Sequence, residues 1–207
     1  VLDVIMQTAE RCKLMGHEVV ELDFLPYHVE KFRDQFLKML AIMTQRMADR
    51  FKENKGRPVA DGDFEKLQMH HLGAMPDDPE AELNRLMEIA GKISGSFDRL
   101  FESYDLILTP TVPVVAKEAA ERSIDKDPIS LLAAGRRDGR FLAFVNTTGH
   151  PAITVPAGFN PDGLPVGAQF IAAKGAEDTL FSIAYELEDE IKWARHWPPI
   201  SVAFAGS

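Results

Sequence analysis

The sequence predicts an α/β fold, and three observations predict it. Apolar residues recur at helical spacing over long stretches of the first half. Short apolar runs bounded by proline and glycine, too short for helices, appear in the second half. The opening segment reads helix, glycine, strand, which is the closing half of an α/β unit. With 207 residues, 45% hydrophobic and 27% charged, the chain can form one core or part of a larger one.

The first element is a helix with Val1, Ile5, Thr8/Ala9, Cys12 and Met15 in register, closed by Gly16. No Ser, Thr, Asp or Asn cap precedes Val1, so the chain is expected to begin inside an element, as a truncated piece. Residues 17–22 read as a strand closed by Pro26. A helical layer follows at about 27–102. Phe32, Phe36, Met39/Leu40, Met43, Met47 and Phe51 form its first stripe, a shorter helix covers Phe64 to His71, and a third runs from Pro79 to Phe101. Asp105 to Thr109 is an unbroken apolar run ended by Pro110, a strand buried on both faces. An irregular excursion over 113–129 leads to a helix from about Leu131 to Thr148, stopped by Gly149 and Pro151. Ala152 to Val155 and Pro165 to Ala173, joined by the Asn160–Gly163 turn, read as an antiparallel hairpin. The last helix spans about Glu177 to Arg195, with acids at its start and bases at its end.

Acidic residues outnumber basic ones 32 to 23, for a formal net charge of −9. Such a surface repels phosphate backbones and anionic lipid, which argues against direct nucleic-acid or membrane partners. The cluster Arg136, Arg137 and Arg140 is too short to reverse that. A lone Cys12 on an apolar stripe reads as a buried structural thiol and permits no intrachain disulfide. Neither a membrane-length apolar run nor a signal peptide is seen, and a cytoplasmic location is expected.

Three motifs in order say more. Asp105-Leu-Ile-Leu-Thr-Pro-Thr-Val-Pro113, Phe144-Val-Asn-Thr-Thr-Gly-His-Pro-Ala-Ile-Thr-Val-Pro156 and Gly163-Leu-Pro-Val-Gly-Ala-Gln169 together resemble the C-terminal half of the amidase-signature family of amide hydrolases. The Leu14–Val19 junction and the closing helix with Pro198-Pro199 are similar as well. The resemblance implies the C-terminal part of a mixed β-sheet covered by helices. Residues 1–207 would then be part of a single amidase domain, with a helical segment at 27–102 and an α/β core segment at 104–197. It also implies hydrolysis of a carbon–nitrogen amide bond by a nucleophilic serine, a bridging serine and a lysine base. In the family these lie in the N-terminal half, the serines in a Gly/Ser-rich loop that also supplies the oxyanion hole.

No run in this chain matches that loop. Gly91-Lys-Ile-Ser-Gly-Ser96 comes nearest, but it lies within a helical stripe of Ala90, Ile93 and Phe97 and reads as a helix face. No catalytic residue is therefore carried over, and the chain alone is expected to be inert. The missing N-terminal half of the same enzyme is its expected partner, with a small amide as substrate and room for a homo-oligomer. No cofactor is implied. His70 and His71 are adjacent on a presumed helix, about 100° apart, and cannot chelate one metal together; they read as surface residues. His17 and His150 follow glycines at element ends and read as structural or solvated.

Ligands of open α/β sheets gather beyond the carboxyl ends of strands. Thr109 and Thr111 lie just past such an end if 106–108 is a central strand. The resemblance implies that this turn and Asn146-Thr147 sit near the substrate cleft. Thr109, Thr111, Asn146 and Thr147 are thus the candidate substrate-binding residues, against the plainer reading of turn and helix-end residues. Residues 27–102 are where substrate selection or subunit contact is expected to vary. Two alternatives stand beside the hydrolase: the A subunit of a glutamine-dependent tRNA amidotransferase, and a non-catalytic interaction module.

Overall fold

A computed structural model describes residues 1–23, 29–123, 126–197 and 201. The chain divides into two compact units, one of Val1–Glu21, Phe101–Val115 and His150–Ser207, the other of Leu22–Leu100 and Ala116–Gly149. Pro26, Tyr27 and Pro198-Pro199, which figured in the sequence reading, lie outside the described residues.

The first unit is a three-stranded sheet with two helices on it. Strands β1 (Leu106–Pro110), β2 (Ala152–Phe159) and β3 (Pro165–Ala172) stand in the order β1-β3-β2, and each outer strand pairs antiparallel with β3. The expected hairpin is present. Its turn is held by Asn160, whose side-chain oxygen accepts from the Leu164 amide at 2.7 Å. Helices α1 (Leu2–Leu14) and α7 (Glu177–Ile191) cover one sheet face. Val4, Ile5 and Cys12 of α1 meet Leu180, Ile183 and Leu187 of α7 over Val155, Val166, Ala168 and Phe170. The helical spacing of the first two sets and the alternation of the third put every one of these side chains on a single core. Burial removes them from water, the main favourable term in forming this layer.

Two details complete that packing. The buried Thr8 hydroxyl donates to the Val4 carbonyl at 2.9 Å, so a polar atom sits in the core without an unmet bond. The β2–β3 register shifts between Pro156 and Gly158. Gly158 adopts φ +151, and a side chain there would meet Val4 Cγ1 at 3.4 Å; the bulge lets α1 approach the sheet.

The second unit is helical. It holds α2 (Val29–Lys55), α3 (Lys66–Leu72), α4 (Pro79–Leu100), α5 (Pro128–Asp138) and α6 (Ala143–Thr148), with a 3-10 turn at Ala119–Arg122. Helix α2 packs on α3, α4 and α6, α4 packs on α6, and α3 packs on α5. Phe97 and Phe144 stack with centroids 4.7 Å apart, and each is 1% exposed. The loop after α2 is pinned by Arg57, which makes two bonds to Asp63 at 2.6 and 3.0 Å and lies over the Phe51 ring. These bonds hold the Asp63 carboxyl down at about 2.

Several expectations are corrected. Residues 17–22 form no strand: they are irregular, Val20 is exposed, and they join no ladder among the described residues. Strand character from apolar alternation needs a partner, and none is offered there. Among the described residues β3 holds the middle of the sheet and β1 lies at one side of it. Leu106, Ile107 and Leu108 are accordingly half-buried. The α2 stripe is rotated. Phe32, Ala41, Ile42, Thr44 and Ala48 face inward, whereas Met43 and Met47 are 52% and 48% exposed. Small residues let helices approach closely, and that outweighs the apolarity of the methionines here. The single helix over 131–148 is two. Gly139 ends α5 by donating to the Gly135 carbonyl at 2.8 Å, where two glycines lower helix propensity. The start of α5 falls earlier than expected, capped by Asp127, whose carboxylate accepts from the Ser130 amide at 2.9 Å with Pro128 at the first turn. The last helix stops at Ile191 because Lys192 turns left-handed at φ 53.

Candidate functional site

Cross-strand register places Thr109, Gln169 and Thr154 in one row across the sheet. Side chains directly opposite share a face, so this row points away from the α1–α7 core. At its buried end Gln169, 3% exposed, donates from Nε2 to Thr109 Oγ1 at 3.1 Å, and Thr109 is 6% exposed. A buried amide in a central strand requires such partners. Thr109 does not lie past the strand end as expected; it is a paired member of β1, and Pro110 pairs with Ala168. Among the described residues β1 is a flanking strand, a position that tolerates proline.

Thr111 follows the end of β1. Its amide donates to the Gly167 carbonyl at 3.2 Å, and its Oγ1 lies 3.1 Å from Thr154 Oγ1. Gly167 lies beneath that pair: a Cβ there would come within 2.9 Å of Thr154 Cγ2 and 3.0 Å of Thr111 Oγ1. The structure thus brings Thr109 and Thr111 together on one sheet face, with Gln169, Thr154 and Gly167 as companions that the motifs did not single out. A signal was present, since Gln169 is the one polar side chain in an otherwise apolar run.

Asn146 and Thr147 belong to α6 in the helical unit. Asn146 is exposed and Thr147 half-buried. The Thr147 hydroxyl donates to the Ala143 carbonyl at 2.8 Å, which commits its proton to its own helix and leaves its oxygen free to accept only. Gly149 closes α6 with φ +74.

The chain's other reactive types are structural. Cys12 is buried, and burial first, then the nearby Glu186 carboxylate, pushes its thiol up, away from a nucleophilic thiolate. His17 pairs with Glu186 at 2.9 Å on the surface. His150 is buried beside the Phe101 ring, 5.4 Å between centroids. His70 is exposed as expected, but His71 is buried in the helical unit and burial lowers its basicity, a correction to the surface reading. The Gly91–Ser96 run lies inside α4, with Ser94 turned inward and Ser96 Oγ donating to the Lys92 carbonyl. It forms no loop. Among the described residues no three His, Cys, Asp or Glu side chains gather as a metal site, and no helix is long and apolar enough to cross a membrane.

A family model described as Amidase matches residues 1–181. The chain belongs to the amidase family. This amidase-family chain is 26% identical over 193 residues to the 6-aminohexanoate-cyclic-dimer hydrolase of Pseudomonas sp. (strain NK87), covering 90% of the chain and 39% of that protein. It is 36% identical over 114 residues to the first of the glutamyl-tRNA(Gln) amidotransferase A subunits of Clostridium acetobutylicum, covering 55% of the chain and 22% of that relative. A solved structure of 6-aminohexanoate cyclic dimer hydrolase complexed with substrate superposes with a TM-score of 0.83 at 25% identity, covering 95% of the chain and 42% of that structure. The amidase-family chain therefore spans about two-fifths, or less, of the length of these relatives.

Proposed function

We propose that these residues form the C-terminal part of one amidase domain that hydrolyses carbon–nitrogen amide bonds to carboxylate plus amine or ammonia. The reacting serines and lysine belong to polypeptide outside this chain. The observation that carries the reading is the amidase match over residues 1–181, taken with the absence of any Gly/Ser-rich catalytic loop in the sequence. What the chain contributes is support. Thr109 and Thr111 wall the substrate cleft from the sheet. Hydroxyl and amide groups of this kind orient an amide by hydrogen bonds while a separate nucleophile and oxyanion hole perform acyl transfer. A small linear or cyclic amide is the substrate class, supported by the likeness to the cyclic-dimer hydrolase over 90% of the chain. The lone buried thiol fits a reducing, cytoplasmic compartment.

A serine-reactive fluorophosphonate probe tests this. It should label the complete polypeptide and leave the 207-residue chain unlabelled. Labelling of the short chain at one of its own serines would overturn the division of labour.

The 36% identity to the amidotransferase relative favours a second reading over residues of the matched segment: ammonia release from glutamine for transfer by a partner protein. Glutaminase activity that appears only with a co-purifying second protein would select it. Turnover of small amides without one selects hydrolysis.

A further inference from the structure

We infer that Thr154, reaching over Gly167 to Thr111, is a positioning residue that fixes the Thr109–Thr111 wall of the amide cleft. The inference rests on the reading above that this wall faces substrate. Strands two places apart in a sheet lie roughly 9–10 Å from one another, so side chains of the outer two meet only where the central strand puts nothing between them. Gly167 provides that gap. Its missing Cβ would stand 2.9 Å from Thr154 Cγ2 and 3.0 Å from Thr111 Oγ1, and in its absence the two hydroxyls close to 3.1 Å.

The contact falls where β1 has least to hold it. Pro110 has no amide hydrogen, β1 ends there, and Thr111 keeps one backbone bond to the sheet, its amide to the Gly167 carbonyl at 3.2 Å. The segment that follows is irregular. Behind Thr111, Thr109 is fixed by Gln169, which shares its row with Thr154. One hydrogen bond at each of the two threonines restrains both side chains. With the Thr111–Thr154 clasp made, one hydroxyl proton and the remaining lone pairs of the pair stay available to a ligand.

Three variants test this: Thr154→Val keeps the side-chain shape and removes the hydroxyl, Thr154→Ser keeps the hydroxyl, and Thr111→Val removes the other half. Hydrogen–deuterium exchange of residues 109–115 should quicken about twofold to fivefold in Thr154→Val and Thr111→Val, return to the native rate in Thr154→Ser, and be no faster in the double valine variant than in either single one. In the complete polypeptide, Thr154→Val should raise KM for a small amide by about twofold to fivefold with kcat held, and Thr154→Ser should restore it. Native exchange in Thr154→Val overturns the clasp. Changed exchange with unchanged KM makes it structural only and overturns its positioning role. A wild-type enzyme without amide turnover sinks the parent reading, while the exchange arm still decides whether the clasp exists.

Discussion

The sheet unit joins its polar strand side chains across distant segments, whereas the helical unit returns its threonine hydroxyls to the helices that carry them. Gln169 reaches Thr109, 60 residues away, and Thr111 meets Thr154, 43 residues away. In the helical unit Thr44 bonds the Leu40 carbonyl and Thr147 the Ala143 carbonyl, each four residues back. A bond across strands fixes register and the direction of a hydroxyl. A bond back along a helix duplicates what the backbone already fixes. The difference teaches where this chain can hold a ligand-facing group still: on the sheet face that carries the Thr109 row.

The largest expected effects ignore that difference and show what the two units share. Phe97→Ala removes a ring from the stack with Phe144, and Leu187→Ala empties a fully buried position under the sheet. Each should cost about 3–5 and 2–5 kcal/mol respectively, read by chemical denaturation. Next comes the test that sharpens the comparison. Gln169→Leu leaves the buried Thr109 hydroxyl without its donor and should cost about 1–3 kcal/mol; a neutral result would mean the row does not matter to the sheet.

The Arg57–Asp63 loop gives a smaller, local effect. Asp63 is depressed to about 2, first by the side-chain bond from Arg57 and then by the Ala60 amide. The unfolded chain binds this proton at a higher pH than the folded one, so the contribution is present above about 4 and is lost as pH falls through about 2. Asp63→Asn should flatten that acid limb, measured as the pH dependence of the thermal midpoint between pH 2 and 4, by removing at neutral pH the small contribution of this exposed pair. The smallest effect should be Thr44→Val, within roughly 0.5 kcal/mol of wild type, because the Leu40 carbonyl keeps its helix bond. A loss as large as that of Gln169→Leu would break the contrast between units.

Much of the sheet unit is legible in the sequence because its signals are local and strong. Pro110 ends the first strand, Pro151 precedes the second, Asn160 to Gly163 marks the hairpin turn, and Leu180, Ile183 and Leu187 keep a clean period. The helical unit is legible in its number of long helices but not in their faces. Ala41, Thr44 and Ala48 carry little hydrophobic signal of their own, yet tight packing selects their side of α2 and turns Met43 and Met47 out. Asp127-Pro128 is a helix start that could have been read and was masked by the irregular composition before it. Of the candidate site, Thr109 and Thr111 were visible in a motif. Thr154 and Gly167 also lie in the motifs, but their contact with Thr111 depends on a three-strand register that no local pattern encodes.

The central claim is that the chemistry resides outside this chain. Hydrolysis of a small amide by the purified 207-residue chain, measured beside the complete polypeptide, tests it most directly. Turnover confined to the complete polypeptide is the predicted result; turnover by the 207-residue chain alone, abolished by replacing one of its own serines, would contradict it.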